Sequence, residues 1–306
     1  MKNLLVILVS SLCFIQTSHS ATLCVNPTGS GGCYTSIQAA INAASTDDTV
    51  KVLPGTYNGT IVVGKRIILM GSGHEVTKIY SDSTTPGIPA VNFVSGSTGA
   101  KLMWFTIQSS FMDGIIVGEG LYPHILNNVV QCCGRSGIYV YKGAPVIANN
   151  VITKNTWNGI GFFCPPSTYA LIYSNIISNN SGCGLIDGCG TCVSPPTRMN
   201  NCVFGNLGGN YCGICMTAGP GDIQQDPKFV SATCDGGDFH LAIGSPCKNS
   251  GREGYPDCDG TRGDMGAYGG PNAYCGLGPV VTNLKLIPPA VVKGETFDIQ
   301  ADGSTR

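Results

Sequence analysis

At 306 residues, with 43 glycines and 11% charged side chains, the chain is long enough for one large domain. Its formal net charge is −1 and it has no basic block. That balance excludes the electrostatic footprint of a nucleic-acid-binding protein and leaves acidic polysaccharides open as partners.

Residues 1–20 open with Lys2, run apolar from Leu4 to Ile15 and end Ser18-His19-Ser20 before Ala21. A short apolar core with a small-residue exit predicts a cleaved secretory signal peptide. The competing reading, a membrane anchor, needs about 20 apolar residues, and no later stretch supplies them. Cys13 leaves with the leader; the many cysteines that stay fit an oxidising compartment. Their odd number leaves one thiol free or paired outside the chain. The expectation is a secreted or cell-surface protein with no membrane span.

Cys24 and Cys33 flank a loop containing Pro27, Gly29, Gly31 and Gly32, which predicts a disulfide closure. Thr35 and Ser36 precede Ile37, Ala40, Ile41 and Ala44. Spacing of i, i+3, i+4, i+7 after a hydroxyl cap predicts a short amphipathic helix. Thr49-Val50-Lys51-Val52-Leu53 and the turn Pro54-Gly55-Thr56-Tyr57 follow. Residues 50–113 then hold short apolar runs at irregular spacing, among them Ile67-Ile68-Leu69 and Ala90-Val91-Asn92-Phe93.

From 114 to 201 the spacing is regular. Gly114-Ile115, Gly137-Ile138, Gly159-Ile160 and Gly184-Leu185 recur at intervals of 23, 22 and 25 residues. Asn128, Asn150, Asn175 and Asn201 recur at 22, 25 and 26. A period in the low twenties marks a solenoid. Its units are short β runs punctuated by Gly and Asn. This predicts an all-β fold, a single-stranded right-handed parallel β-helix, right-handed because parallel crossovers almost always are. Stacking sets equivalent residues ~4.8 Å apart. Ile115, Ile138, Ile160 and Leu185 then form one inward column. Val117, Val140 and Phe162 form another, which Asp187 interrupts. The Asn column suits sharp turns, since Asn tolerates left-handed backbone and its amide can bond the next amide along the stack. A solenoid also needs an atypical element over its open end, and the short N-terminal helix is placed to be that cap.

Ser36-Ile37-Gln38-Ala39-Ala40-Ile41-Asn42-Ala43-Ala44, Asp48-Thr49-Val50-Lys51-Val52, Pro54-Gly55-Thr56-Tyr57 and Ile67-Ile68-Leu69-Met70-Gly71-Ser72-Gly73 closely resemble the entry of pectin-lyase-like right-handed β-helix proteins. The resemblance spans roughly residues 35–206. After Cys215 the period is lost. Asp238-Phe239-His240-Leu241 and Asp257-Cys258-Asp259-Gly260-Thr261-Arg262-Gly263-Asp264-Met265-Gly266-Ala267-Tyr268 resemble the ending of the bacterial choice-of-anchor Q surface proteins. That resemblance implies a bacterial exported protein whose C-terminal device holds it to the cell, and brings no catalytic residues with it. The β-helix and its closing region are expected over 21–275. Residues 279–306 read as two strands around Pro288-Pro289 that look like the start of an immunoglobulin-like module, truncated because such a sandwich needs about 100 residues, or as a linker.

Cys189-Gly190-Thr191-Cys192 and Cys212-Gly213-Ile214-Cys215 have the spacing of a four-thiolate zinc site. They also stand one coil apart, with Cys164 one coil earlier, which suits disulfides between rungs. Disulfides are the favoured reading for Cys24, Cys33, Cys164, Cys189, Cys192, Cys212 and Cys215.

Polysaccharide lyases of this type need carboxylates holding calcium plus an Arg or Lys base; hydrolases need an acid and a base carboxylate. Residues 101–220 offer only Asp113, Glu119 and Asp187, in different columns. Glu119 faces Lys142 one rung on, as a surface ion pair. Asp187 with Arg198 is the remaining catalytic candidate. His124 reads as a solvated turn residue. Asp257, Asp259 and Asp264 could hold calcium, although capping of loop amides and pairing with Arg262 is the preferred reading, with no metal. The outward column Ile116, Tyr139, Gly161, Ile186, with Tyr141 and Trp157 beside it, suits stacking on sugar rings. The expected function is non-catalytic recognition of a carbohydrate or cell-surface glycan by a monomer without cofactor. The rivals are a polysaccharide lyase or hydrolase acting on an acidic polysaccharide, with calcium if a lyase, and a structural stalk.

Overall fold

A computed structural model describes residues 20–163, 170–188, 195–274, 280–287 and 298–304. The expected signal peptide therefore lies outside the described residues apart from Ser20. Three parallel sheets run between Thr22 and Cys212. Sheet A has eight strands, from Thr22–Val25 to Thr197–Met199; sheet B has seven, from Gly55–Asn58 to Cys202–Phe204; sheet C has seven, from Ile61–Val63 to Gly209–Cys212. Each coil visits A, B and C in turn, so the body is a right-handed parallel β-helix of seven coils.

The register is the predicted one. Ile115 pairs with Ile138, Ile138 with Ile160, and Ile160 with Leu185, all fully buried. Sheet A contributes a parallel inward column, Leu69, Leu102, Ile125, Ile147 and Ile172. Three- and four-residue strands are too short to be stable singly, but each buried Ile or Leu is worth about 1.5–3 kcal/mol once stacked.

The turns divide their work between two residues. Between sheets A and B the left-handed residue is Asn127, Asn149, Ser174 or Asn200, with φ of 50 to 55°. The ladder residues Asn128, Asn150, Asn175 and Asn201 follow directly. They are fully buried, and each amide donates to the carbonyl oxygen of the next at 3.0–3.2 Å. The left-handed role expected of the ladder Asn thus belongs to its neighbour. A second ladder, Asn155, Asn180, Asn206, lines the turn between B and C.

The two ends are closed differently, one by an apolar helix face and the other by a polar side chain aimed at the backbone. The helix Ile37–Ala43 covers the N-terminal coil with Ile37, Ala40 and Ile41 turned inward. At the other end Arg198 continues the inward Ile172 column. Its guanidinium donates to the carbonyls of Pro196, Cys215 and Thr217.

The outer faces of sheets A and B are also apolar. On sheet B, Val129, Val151, Ile176 and Cys202 are buried under Phe239, Cys247, Met265 and Ala267. On sheet A, Met103, Leu126, Ala148 and Tyr173 pack with Tyr255. The segment 216–274 runs back along the outside of the coils and covers both. The left-handed turn residues hold it: Asn200 donates to Ser250 O, Ser174 Oγ accepts from Arg252 N, Asn149 donates to Asp264 O, Asn127 to Ala267 O and Gly269 O, and Trp104 Nε1 to Asn272 O. Val280–Ile287 and Asp298–Ser304 pair antiparallel.

Candidate functional site: the outer wall of sheet C

Among the described residues no such covering lies over sheet C. Its outward column is Asn92, Ile116, Tyr139, Gly161 and Ile186. Tyr139 stacks on Phe163, ring centroids 4.8 Å apart and planes within 14°. Gly161 makes this possible: a Cβ there would sit 2.6 Å from the Phe163 ring. Tyr141 is two residues from Tyr139 on the same strand, and Lys142 Nζ lies 5.2 Å from its ring centroid. Trp157 enters the next strand from the turn between sheets B and C and is 48% exposed. The Arg135 guanidinium lies on the indole at 4.4 Å. Arg135 in turn approaches the buried carboxylate of Asp113 at 3.6 Å. Burial pushes the Asp113 pKa up, against the pull of Arg135 and the Ser136 amide. Glu119 and Lys142 pair at 3.4 Å. The Asp113–Arg135 pair and Trp157 thus stand where the chain enters sheet C, and Tyr141 with the Glu119–Lys142 pair where it leaves, so the two groups edge the wall on opposite sides.

Asp187 lies in the inward column next to Phe162 and is buried. Arg198 is inward as well, its guanidinium taken up by backbone carbonyls, and the two form no ion pair. Burial lowers the Arg198 pKa. His124 stands in a sheet A strand rather than a turn, because the coil register carries it to the outer face, where burial lowers its pKa.

Cys24 bonds Cys33, Cys183 bonds Cys212, and Cys132 bonds Cys234. Cys215 is disulfide-bonded too. With two of its four sulfurs oxidised, the paired CxxC stretches cannot form a four-thiolate zinc site. Cys164, Cys189 and Cys192 lie outside the described residues. The acidic loop binds backbone: Asp257 accepts from the amides of Asp264 and Gly270, Asp259 from Thr261, and Asp264 from Asn249. Arg262 donates to Gly251 O instead of a carboxylate. Burial raises Asp257 to about 6. Among the described residues no three His, Cys, Asp or Glu side chains are grouped to hold a metal.

The sequence reading missed a second polar cluster. Glu75 accepts from Tyr268 OH at 2.9 Å, His240 Nδ1 lies 2.5 Å from Asp238 Oδ1, and the His240 and Tyr268 rings approach to 3.7 Å. It joins the second coil to the closing segment beside a cavity of about 410 Å³ lined by Pro54, Ser72, Glu75 and Tyr274. Contacts across nearly two hundred residues leave no local pattern.

Residues 89–233 match the family model described as the right handed beta helix region. The body is that fold. No curated protein matches the chain. Among solved structures, the pectate lyase Pel9A aligns at a TM-score of 0.50 and 13% identity, over 82% of this chain and 96% of that one. The pectin methylesterase PemA from Erwinia chrysanthemi aligns at 0.45 and 14% identity, over 61% of this chain and 66% of its own length. Similarity at this level concerns the fold. Among the described residues no helix is long and apolar enough to cross a membrane.

Proposed function

We propose that this chain is an exported β-helix protein, secreted or held at the cell surface, that recognises carbohydrate through the outer wall of sheet C without turning it over. The observation that carries the reading is Trp157, 48% exposed with the Arg135 guanidinium 4.4 Å from its ring centroid, at the edge of the sheet C wall that bears the stacked Tyr139 and Phe163 rings. Exposed, immobilised aromatic faces pair an apolar body with a polar rim, which is what a sugar ring presents in return. The disulfides support export. A glycan array tests it. Trp157→Ala and Tyr139→Ala should each weaken the best-bound glycan by about tenfold, equivalent to ~1.4 kcal/mol, with unchanged melting. The same sample, incubated with pectin with and without calcium, should release no unsaturated uronate; calcium-dependent release would make it a lyase. Absence of any glycan binding would favour the stalk.

A further inference from the structure

We infer that the sheet C wall selects uncharged saccharides over uronates. This rests on the recognition reading above and names the class of ligand it takes. Two cations lie against the wall's aromatic rings, Arg135 on Trp157 and Lys142 beside Tyr141. Each is paired with a carboxylate, Arg135 with Asp113 at 3.6 Å and Lys142 with Glu119 at 3.4 Å. A pair presents a dipole to its surroundings. A uronate carboxylate docked roughly 6–8 Å from the cation is attracted by it and repelled by the anion behind it by about two-thirds as much, and what is left is screened by water.

The Asp113 end of its pair with Arg135 is fixed in place. Asp113 is 1% exposed, and its Oδ1 accepts from the Ser136 amide at 2.9 Å. Among the described residues its Oδ2 has no hydrogen-bond partner, and neither does Arg135 Nε. The carboxylate cannot swing into solvent to release Arg135 for an incoming anion. Arg135 lies against the indole, its guanidinium carbon 4.4 Å from the ring centroid.

The remaining cation of this turn is directed elsewhere. Lys154 occupies the turn position that Cys132 holds one coil earlier, and both have left-handed backbone. The Cys132 sulfur is bonded to Cys234, in the segment that covers sheet B. Lys154 therefore leaves on the sheet B side. Asp187 faces inward. Among the described residues the wall offers aromatic faces and no net charge. A hydroxyl-rich neutral ring gives up less hydration there than a uronate, whose carboxylate is desolvated without gaining a counter-charge.

The test is calorimetric titration of the full chain with matched oligosaccharides that differ only in oxidation at C6. The neutral member should bind at least about tenfold more tightly, and its affinity should stay level from about 50 to about 300 mM salt. Glu119→Gln frees Lys142 at an exposed site, with no risk to folding, and should narrow the neutral-to-uronate ratio by about threefold. Asp113→Asn, checked for melting first, should narrow it further. Uronate binding equal to or tighter than neutral binding in the unaltered chain overturns the inference and leaves carbohydrate recognition standing. So does a ratio that neither variant moves. No binding to either member overturns both.

Discussion

Asn150 is fully buried, and every polar atom of its side chain is used. Nδ2 donates to Ile125 O, Ala148 O and Asn175 Oδ1; Oδ1 accepts from the amide and side chain of Asn128. Buried donors and acceptors left unmatched cost about 1–3 kcal/mol each. Asn150→Ala should therefore lower the unfolding free energy by roughly 3 kcal/mol in urea titration. Asn150→Asp should be at least as harmful, because a carboxylate cannot donate to Ile125 O. The period of 22 to 26 residues made this ladder legible. It hid the division of labour beside it, since Asn127 and Asn128 are the same residue type and only the backbone separates the left-handed one. Asn155, Asn180 and Asn206 keep the same intervals, but Lys154, Asn179 and Gly205 before them share no residue type to draw attention. Asp257 shows the same economy with charge. Burial holds its pKa above the unfolded value, so the folded chain binds its proton more tightly. That contribution is complete below about pH 4 and is lost as pH rises through about 6. Melting of the closing segment should fall across that window, by about 1 kcal/mol after screening at this half-buried site, and Asp257→Asn should flatten the slope.

The N-terminal helix is a seven-residue element that would not persist alone. Ser36 caps its start by accepting from Ala39 N. Lys65 Nζ takes its last carbonyls, Ile41 O, Asn42 O and Ala44 O, at 2.6–3.1 Å, where a cation also meets the negative end of the helix dipole. Gln38 does something a capping pattern does not reveal. Its Oε1 accepts from Val62 N at 2.7 Å and its Nε2 donates to Val62 O at 3.2 Å. Val62 lies in Ile61–Val63, the first and therefore edge strand of sheet C. One side-chain amide thus takes the place of the missing neighbour strand and blunts an edge that invites pairing between chains. Gln38→Leu should keep the helix, whose buried positions are Ile37, Ala40 and Ile41, yet yield concentration-dependent dimers in light scattering. A variant that stays monomeric would show the edge is protected by other means. The apolar spacing made the helix and its position legible; Gln38 looked like any exposed helix residue, because its partner is 24 residues away.

At the scale of the whole chain, the coils are written in the sequence and their covering is not. Inward columns repeat with the coil, so Ile115, Ile138 and Ile160 announce one another. The segment from 216 to 274 has no period, and its contacts reach back more than a hundred residues at Asn127 and Gln108. What the sequence did contain was an unexplained surplus: Val129, Val151 and Ile176 are as apolar as the core, though a strand buries only alternate residues inward. That surplus is the seat of the covering segment. Cys132–Cys234 pins the segment to the coils across 102 residues, a separation for which closure of the unfolded chain is worth roughly 2–5 kcal/mol. The clasps from Asn127, Asn149 and Trp104 stay when the bond is removed. In a Cys132→Ala, Cys234→Ala chain the segment should remain docked at rest but open more often. Limited proteolysis should then cut first between 217 and 250, and the coils should survive as a resistant core that binds a hydrophobic dye through the exposed faces of sheets A and B. If coils and segment are instead degraded together at one rate, the covering is part of a single cooperative unit and the outer faces are as essential to the fold as the inner columns.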